Sequence, residues 1–212
     1  YYAQNDVKEP YNFLFIAFGA EELGLVGSRY FVNNPTLPLD KIHFMSNMDM
    51  IGRYNADRGV GIGGYGTSDA WPEVFKEVKG SVKFFTDRSG SGGADHASFY
   101  AKKGPVLFFH TGGHDDYHMP SDTADKIDYD NAAKIAKLMG LIARGIATAD
   151  AAPDYIAMEA PKNQGVRTGL RAYLGTIPDY AQGDTKGVKL SGVSPIGPAA
   201  KAGVKAGDII IK

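Results

Sequence analysis

Near the start of the chain, Asn12 to Phe18 form an almost unbroken apolar run that ends in Gly19, Ala20 and two adjacent glutamates, Glu21 and Glu22. A run this dense is the pattern of a central strand covered on both faces, because a strand with one wet face alternates apolar with polar residues. The next stretch, Leu23 to Val32, has helical spacing, so the two together predict a βα unit. Further apolar runs at Lys41 to Met48, Val82 to Phe85 and Pro105 to Phe109 alternate with helical stretches at Ser68 to Lys79 and Asp95 to Lys103. Alternation of this kind predicts an α/β layered sheet. A last helix is expected over Tyr129 to Thr148, where Ile135, Met139, Ile142 and Ile146 share one face and Asp128 stands at the capping position.

From Asp150 to Gln164 the periodicity lapses into Ala, Pro, Asp and Asn, a composition that suits a linker. The chain therefore divides into a domain over residues 1–150, a linker over 151–163 and a second unit over 164–212. Short apolar stretches separated by Gly and Pro predict that the second unit is a small β-rich module. Both ends read as cut: a buried-type strand begins only ten positions in, and the chain stops on Ile209, Ile210, Ile211 and Lys212. The sequence is expected to be a fragment.

Composition removes several classes of function. Without cysteine there is no disulfide, no thiolate metal site and no cysteine nucleophile, so any zinc must be held by His, Asp and Glu. A formal charge of −1 with dispersed basic residues leaves no electrostatic footprint for nucleic acid or an anionic membrane. The longest apolar run, around Phe13 to Ala20, falls far short of the ~20 residues that span a bilayer.

Three constellations carry chemistry. Glu21 and Glu22 in GAEELGLVGS follow the apolar run, and in an open α/β sheet ligands bind at the carboxyl ends of strands. Two adjacent glutamates there repel each other, a cost that a divalent cation removes, although a solvated acidic first turn of a helix would look the same. Asp49 in NMDMIG interrupts an apolar strand end, as either a turn former or a ligand. HTGGHDDYHMPSDT, residues 110–123, holds three histidines, a tyrosine and three aspartates. His114 and His118 have the i,i+4 spacing of a helical zinc motif, but Gly112, Gly113 and Pro120 oppose a helix, so only one of them, His118, is expected to serve. His43, His96 and His110 read as ordinary surface or hydrogen-bonded histidines. GIGGYG, residues 61–66, fits a dinucleotide-binding pattern but lacks a well-formed strand before it, and reads as a flexible turn. SGSGG, residues 89–93, reads as a mobile loop near the site.

The order GAEELGLVGS, NMDMIG, SGGADHASFY, YHMPSDT resembles the C-terminal two-thirds of the co-catalytic zinc aminopeptidases, metallopeptidase family twenty-eight, over roughly Asn12 to Ala147. The resemblance implies a mixed, mostly parallel sheet with helices on both faces, and two zinc ions in the intact enzyme. By the same similarity Glu21 would be the general base, Glu22 and His118 ligands of one zinc, and Asp49 a ligand of the other. Tyr117 would donate a hydrogen bond to the developing oxyanion, and Asp95 and Asp122 would support the site. Such enzymes also take a His and a bridging Asp from an HxD element upstream of the glutamate pair, and no histidine precedes that pair here. The fragment alone is accordingly expected to bind metal poorly and to be inactive.

Two cations about 3.5 to 4 Å apart can polarise a scissile carbonyl and activate water, while a glutamate outside the ligand set relays the proton. Residues from about Gly165 to Lys212 resemble a PDZ domain of the bacterial protease-associated type. That resemblance implies a carboxylate-receiving loop at Tyr173, Leu174 and Gly175 that takes peptide C-termini by strand addition. A single-zinc glutaminyl cyclase, a carboxypeptidase of related architecture and an inactive PDZ-bearing adaptor are the competing expectations. Absence of cysteine together with a protease-linked PDZ module suits a periplasmic or secreted protein.

Overall fold

The computed structural model describes residues 11–78, 82–158, 174–178, 185–193 and 197–211. Its elements are, in chain order, α1 (Val26–Asn33), β1 (Met45–Met48), β2 (Val60–Gly63), α2 (Trp71–Glu77), β3 (Phe84–Thr86), α3 (His96–Tyr100), β4 (Val106–His110), α4 (Tyr129–Ala147), β5 (Thr176–Pro178), β6 (Val188–Val193), α5 (Pro198–Lys201) and β7 (Ile209–Ile210). The first four strands form one sheet in the order β1-β4-β2-β3. β1 pairs parallel with β4 and β2 parallel with β3, while β2 and β4 meet antiparallel, so the sheet is mixed and mostly parallel.

Alternation along β4 separates two faces. Leu107 and Phe109 turn to one side, where with Val60, Ile62, Trp71 and the α4 stripe Ile135, Leu138 and Ile142 they build the main core. Val106 turns to the other side and packs with Val32 of α1 and Phe99 of α3. Helices thus cover both faces, as the sequence implied. α4 runs almost as expected, and the Asp128 side chain caps it by accepting the Asn131 N–H at 3.1 Å.

Trp71 is fully buried, and its indole N–H donates to the Gly64 carbonyl at 3.1 Å and to Thr67 Oγ1 at 3.2 Å. Thr67 in turn donates to Gly64 and Val106 carbonyls and accepts the Val106 N–H at 3.0 Å. One apolar ring and one hydroxyl therefore lock the turn after β2 to the start of β4.

Two expectations are corrected. Asn12 to Phe18 is not a strand: no described strand pairs with it, and Leu14, Phe15 and Ile16 are exposed by 56%, 80% and 39%. Apolar density specifies a wish for burial but not a partner, and a ladder needs the partner. GIGGYG is not simply a turn, because Gly61, Ile62 and Gly63 lie in β2, a wholly buried central strand. Its glycines answer to packing, since a Cβ at Gly61 would stand 2.5 Å from the His110 imidazole on β4. α1 and α3 also prove shorter than the helical spacing suggested.

Part of the expected linker is sewn to the body. Asp154 accepts from Ser68 Oγ at 2.6 Å and from the Asp69 N–H at 3.0 Å, and Ile156 N–H donates to the Thr67 carbonyl at 2.8 Å. Met158 N–H donates to the Tyr100 hydroxyl at 2.7 Å. The C-terminal unit is a three-stranded antiparallel sheet, β5-β6-β7, in which Ala199 N–H donates to the Leu174 carbonyl at 2.9 Å. Gly175 has the left-handed φ of 75°, the Leu174 side chain is 52% exposed, and Tyr173 lies outside the described residues.

Candidate metal centre

Because β1 and β4 are parallel neighbours, their carboxyl ends open on the same edge of the sheet. Asp49 is the first residue past β1, held there by its N–H to the Phe109 carbonyl at 3.2 Å. The loop after β4 carries Tyr117 and His118, and the turn ahead of α1 carries Glu21 and Glu22. That turn is closed by backbone bonds from Leu25 and Gly24 to the Glu21 carbonyl and from Gly27 to the Gly19 carbonyl. Only glycine fits at Gly27, where a Cβ would stand 2.5 Å from the Gly19 oxygen.

These segments enclose a cavity of ≈ 310 Å³ whose walls include Glu21, Glu22, Asp49, Met50, Phe108, His110 and Tyr117. His118 Nε2 lies 2.7 Å from Glu22 Oε1, and the Tyr117 ring stacks on the His118 ring at 3.8 Å between centroids. Residues remote in the chain are therefore brought together. His114 is not part of this contact: its Nε2 is 3.8 Å from Asp122 Oδ2. Asp122 does not line the cavity either.

Left-handed backbone, which residues with a Cβ avoid, recurs in these segments, though not only there. Five described non-glycine residues have it: Ala20, Met50 and His118 at φ of 57°, 57° and 56°, Leu25 of the glutamate turn at 58°, and Lys103, outside the three segments, at 64°. Each such residue costs on the order of 1–3 kcal/mol, and such conformations cluster where a site dictates the aim of a side chain. Of these, Ala20 sits beside Glu21 and Met50 beside Asp49, and His118 is itself a candidate site residue.

The electrostatics are those of crowded carboxylates. Burial, reinforced by the neighbouring Asp49, Glu22 and Asp95 carboxylates and partly offset by His118, pushes the Glu21 carboxyl up to about 7. Asp49 is likewise raised, by burial first and by Glu22 next. Asp95 is 8% exposed, and its Oδ1 has no hydrogen-bond partner among the described residues. A cation relieves such an excess of negative charge. Among the described residues, however, no group of three or more His, Asp or Glu side chains is gathered so as to hold a metal ion. The fit to zinc is thus one of donor chemistry, with an imidazole nitrogen and a carboxylate in contact and a second carboxylate on the same cavity wall.

A model of Peptidase family M28 matches residues 1–143. The chain belongs to that family. Among solved structures it is similar to the LapA aminopeptidase of Legionella pneumophila, with a TM-score of 0.51 and 26% identity, covering 64% of this chain and 39% of that one. It is also similar to an aminopeptidase from Aneurinibacillus sp. strain AM-1, with a TM-score of 0.49 and 26% identity over 66% of this chain and 33% of that one. Leupeptin-inactivating enzyme 1 of Streptomyces exfoliatus is 39% identical over 85 residues, 39% of this chain and 18% of that protein. The M28 chain therefore spans well under half the length of these relatives. At family level it is of the metallopeptidase, hydrolase type, and the LapA structure it resembles is that of an aminopeptidase.

Two cavity residues of the M28 chain were not among the candidates from sequence: Phe108, and His110, which opens the histidine-rich stretch but read as an ordinary histidine. Phe108 and His110 line the cavity and stack on each other at 4.9 Å, and His96 stacks on Phe108 at 4.4 Å. The alternation of β4, which puts Phe108 and His110 on the face opposite Leu107 and Phe109, was the pattern from which they could have been found.

His96 is 1% exposed with no partner for Nδ1 among the described residues, and burial, aided by His110, lowers its pKa to about 3. The folded state keeps this imidazole neutral while the unfolded chain protonates it near 6.5. Its contribution to stability is therefore complete above pH 6.5 and lost progressively as pH falls towards 3. The unfolding temperature of His96→Leu is expected to fall less steeply than that of the unsubstituted chain between pH 6.5 and 4, and parallel slopes would contradict this account.

Proposed function

We propose that the intact protein is a zinc-dependent aminopeptidase that hydrolyses N-terminal residues from peptides. The observation that carries the reading is the meeting of Glu21, Glu22, Asp49 and Tyr117 around one cavity, with His118 on Glu22. Glu22 and His118 would hold one zinc and Asp49 the other, the remaining ligands coming from outside these residues. Bound zinc supplies Lewis acidity, polarising a carbonyl and making water more acidic.

In this proposal Glu21, beside the ligands but not one of them, takes a proton from water and delivers it to the leaving amine. The Tyr117 hydroxyl donates to the carbonyl oxygen as charge develops on it. The wall formed by Met50, Phe108 and His110 excludes solvent from that step.

The C-terminal module is proposed as a PDZ-type receiver of peptide C-termini through Tyr173, Leu174 and Gly175. The left-handed Gly175 ahead of β5 supports this, and titration with a peptide bearing a free carboxylate checks it. A periplasmic or secreted location is proposed on the protease-associated PDZ-type module taken together with the absence of cysteine.

Metal analysis of the intact protein, paired with an aminoacyl-anilide assay with and without chelator, tests the reading. Two zinc ions per chain are expected, with activity abolished by chelation and restored by zinc. Hydrolysis indifferent to chelator would sink the proposal, and a single zinc with pyroglutamate formation would replace it by the cyclase.

A further inference from the structure

The loop that carries His118 has little regular structure of its own. Its backbone bonds from Tyr117 to His114, Met119 to Asp116 and Asp122 to Met119 are all local, so they shape the loop without fixing it to the sheet. The fixing comes from the segment just past Asp49. Thr111 N–H donates to the Met50 carbonyl at 3.0 Å before the loop, and Asp128 N–H donates to the Gly52 carbonyl at 2.9 Å after it. Two arginines add to these anchors: Arg58 Nη1 donates to the Thr111 and Gly113 carbonyls at 3.2 and 3.3 Å, at the start of the loop, and Arg53 reaches the stretch that carries His118.

Arg53 Nη2 contacts Asp122 Oδ1 at 2.5 Å and Asp116 Oδ2 at 3.2 Å. The other oxygen of Asp116 accepts from Lys126 Nζ and from Ser121 Oγ, both at 2.7 Å. The two aspartates bracket Tyr117 and His118 in sequence, so the guanidinium closes the loop at its neck. Arg53 and Asp116 side chains keep only 20% of their exposure, which separates this cluster from a fully solvated surface pair. Both contacts come from the one nitrogen Nη2, whose two N–H bonds are held in the guanidinium plane and so are aimed in a way that the rotating N–H bonds of a lysine ammonium are not.

We propose that Arg53 is a positioning residue that, through Asp116 and Asp122, holds His118 against Glu22 and so couples the Asp49 segment to the His118 loop. The inference rests on the reading of Glu22 and His118 as zinc ligands. Groups that orient metal ligands typically change metal affinity by about 10–100-fold when removed.

The test measures zinc affinity by competition with a chromophoric chelator in the intact protein, for Arg53→Gln, Arg53→Lys and His118→Ala. Amide hydrogen exchange is followed in parallel on the metal-free protein. Arg53→Gln is expected to weaken zinc binding about 10–100-fold and to speed exchange over residues 114–123 while α4 stays protected. Arg53→Lys is expected to recover only part of the affinity, and the cobalt-substituted Arg53→Gln protein to show an altered visible spectrum. A merely structural arginine would lower the unfolding temperature and leave the affinity and spectrum of the folded fraction unchanged, which overturns the proposal. So does wild-type affinity, within twofold, in Arg53→Gln when His118→Ala has lost its zinc. Should His118→Ala keep its zinc, the ligand assignment itself has failed, and the alanine variant tells that result from the others.

Discussion

Glu21→Gln in the intact protein is expected to lower turnover by about 10²–10⁴-fold, the range that a positioned general base supplies, while zinc content is unchanged. Glutamine keeps the shape of the side chain and loses the capacity to carry the proton. Glu22→Gln is expected to act differently, by losing zinc, since this side chain already meets the imidazole of His118 at 2.7 Å. The physical basis of the division is contact. Glu21 and Glu22 are adjacent and both line the cavity, and the hydrogen bond with the histidine is made by the second. Metal analysis alongside the anilide assay distinguishes the two roles, and equal zinc loss in both variants would end the assignment.

Trp71→Ala is expected to destabilise the domain by about 3–5 kcal/mol, the usual cost of deleting a large buried aromatic side chain. The indole is wholly buried beneath α4 and the sheet, and its N–H serves the Gly64 carbonyl and Thr67. Alanine would leave a cavity and remove a donor from the turn that joins β2 to α2. Against a typical total of about 5–15 kcal/mol, such a loss takes a large share of the stability of a domain. Urea unfolding monitored by circular dichroism measures it, and a change below about 1 kcal/mol would show that the core collapses around the gap.

The sequence made the local features legible and left the non-local ones hidden. α4 could be read because four apolar residues recur at helical spacing and Asp128 precedes them; β4 could be read because Val106 to Phe109 is continuously apolar. The candidate site residues were legible as motifs, and that Asp49 and the loop of Tyr117 and His118 leave one edge follows once β1 and β4 are parallel neighbours, whereas the place of Glu21 and Glu22, which follow no described strand, does not. β2 stayed hidden because glycine weakens strand propensity, while the reason for Gly61 is an imidazole on another strand. Conversely, Leu14 to Ile16 carry every sign of a buried strand and have no described strand beside them. Arg53 gave no signal at all, since a single arginine after a strand is indistinguishable from ordinary surface charge until its two aspartates are seen.

The left-handed residues Ala20, Met50 and His118 set a limit on how this domain can be improved as a material. Relaxing a left-handed backbone is among the simplest ways to make a protein tolerate heat, and glycine at such a position does so. Here two of those positions adjoin Glu21 and Asp49 of the cavity wall, and the third is the histidine that meets Glu22. A variant selected only for endurance would drift towards slack turns, so heat-hardening and chemistry would have to be screened together from the first round.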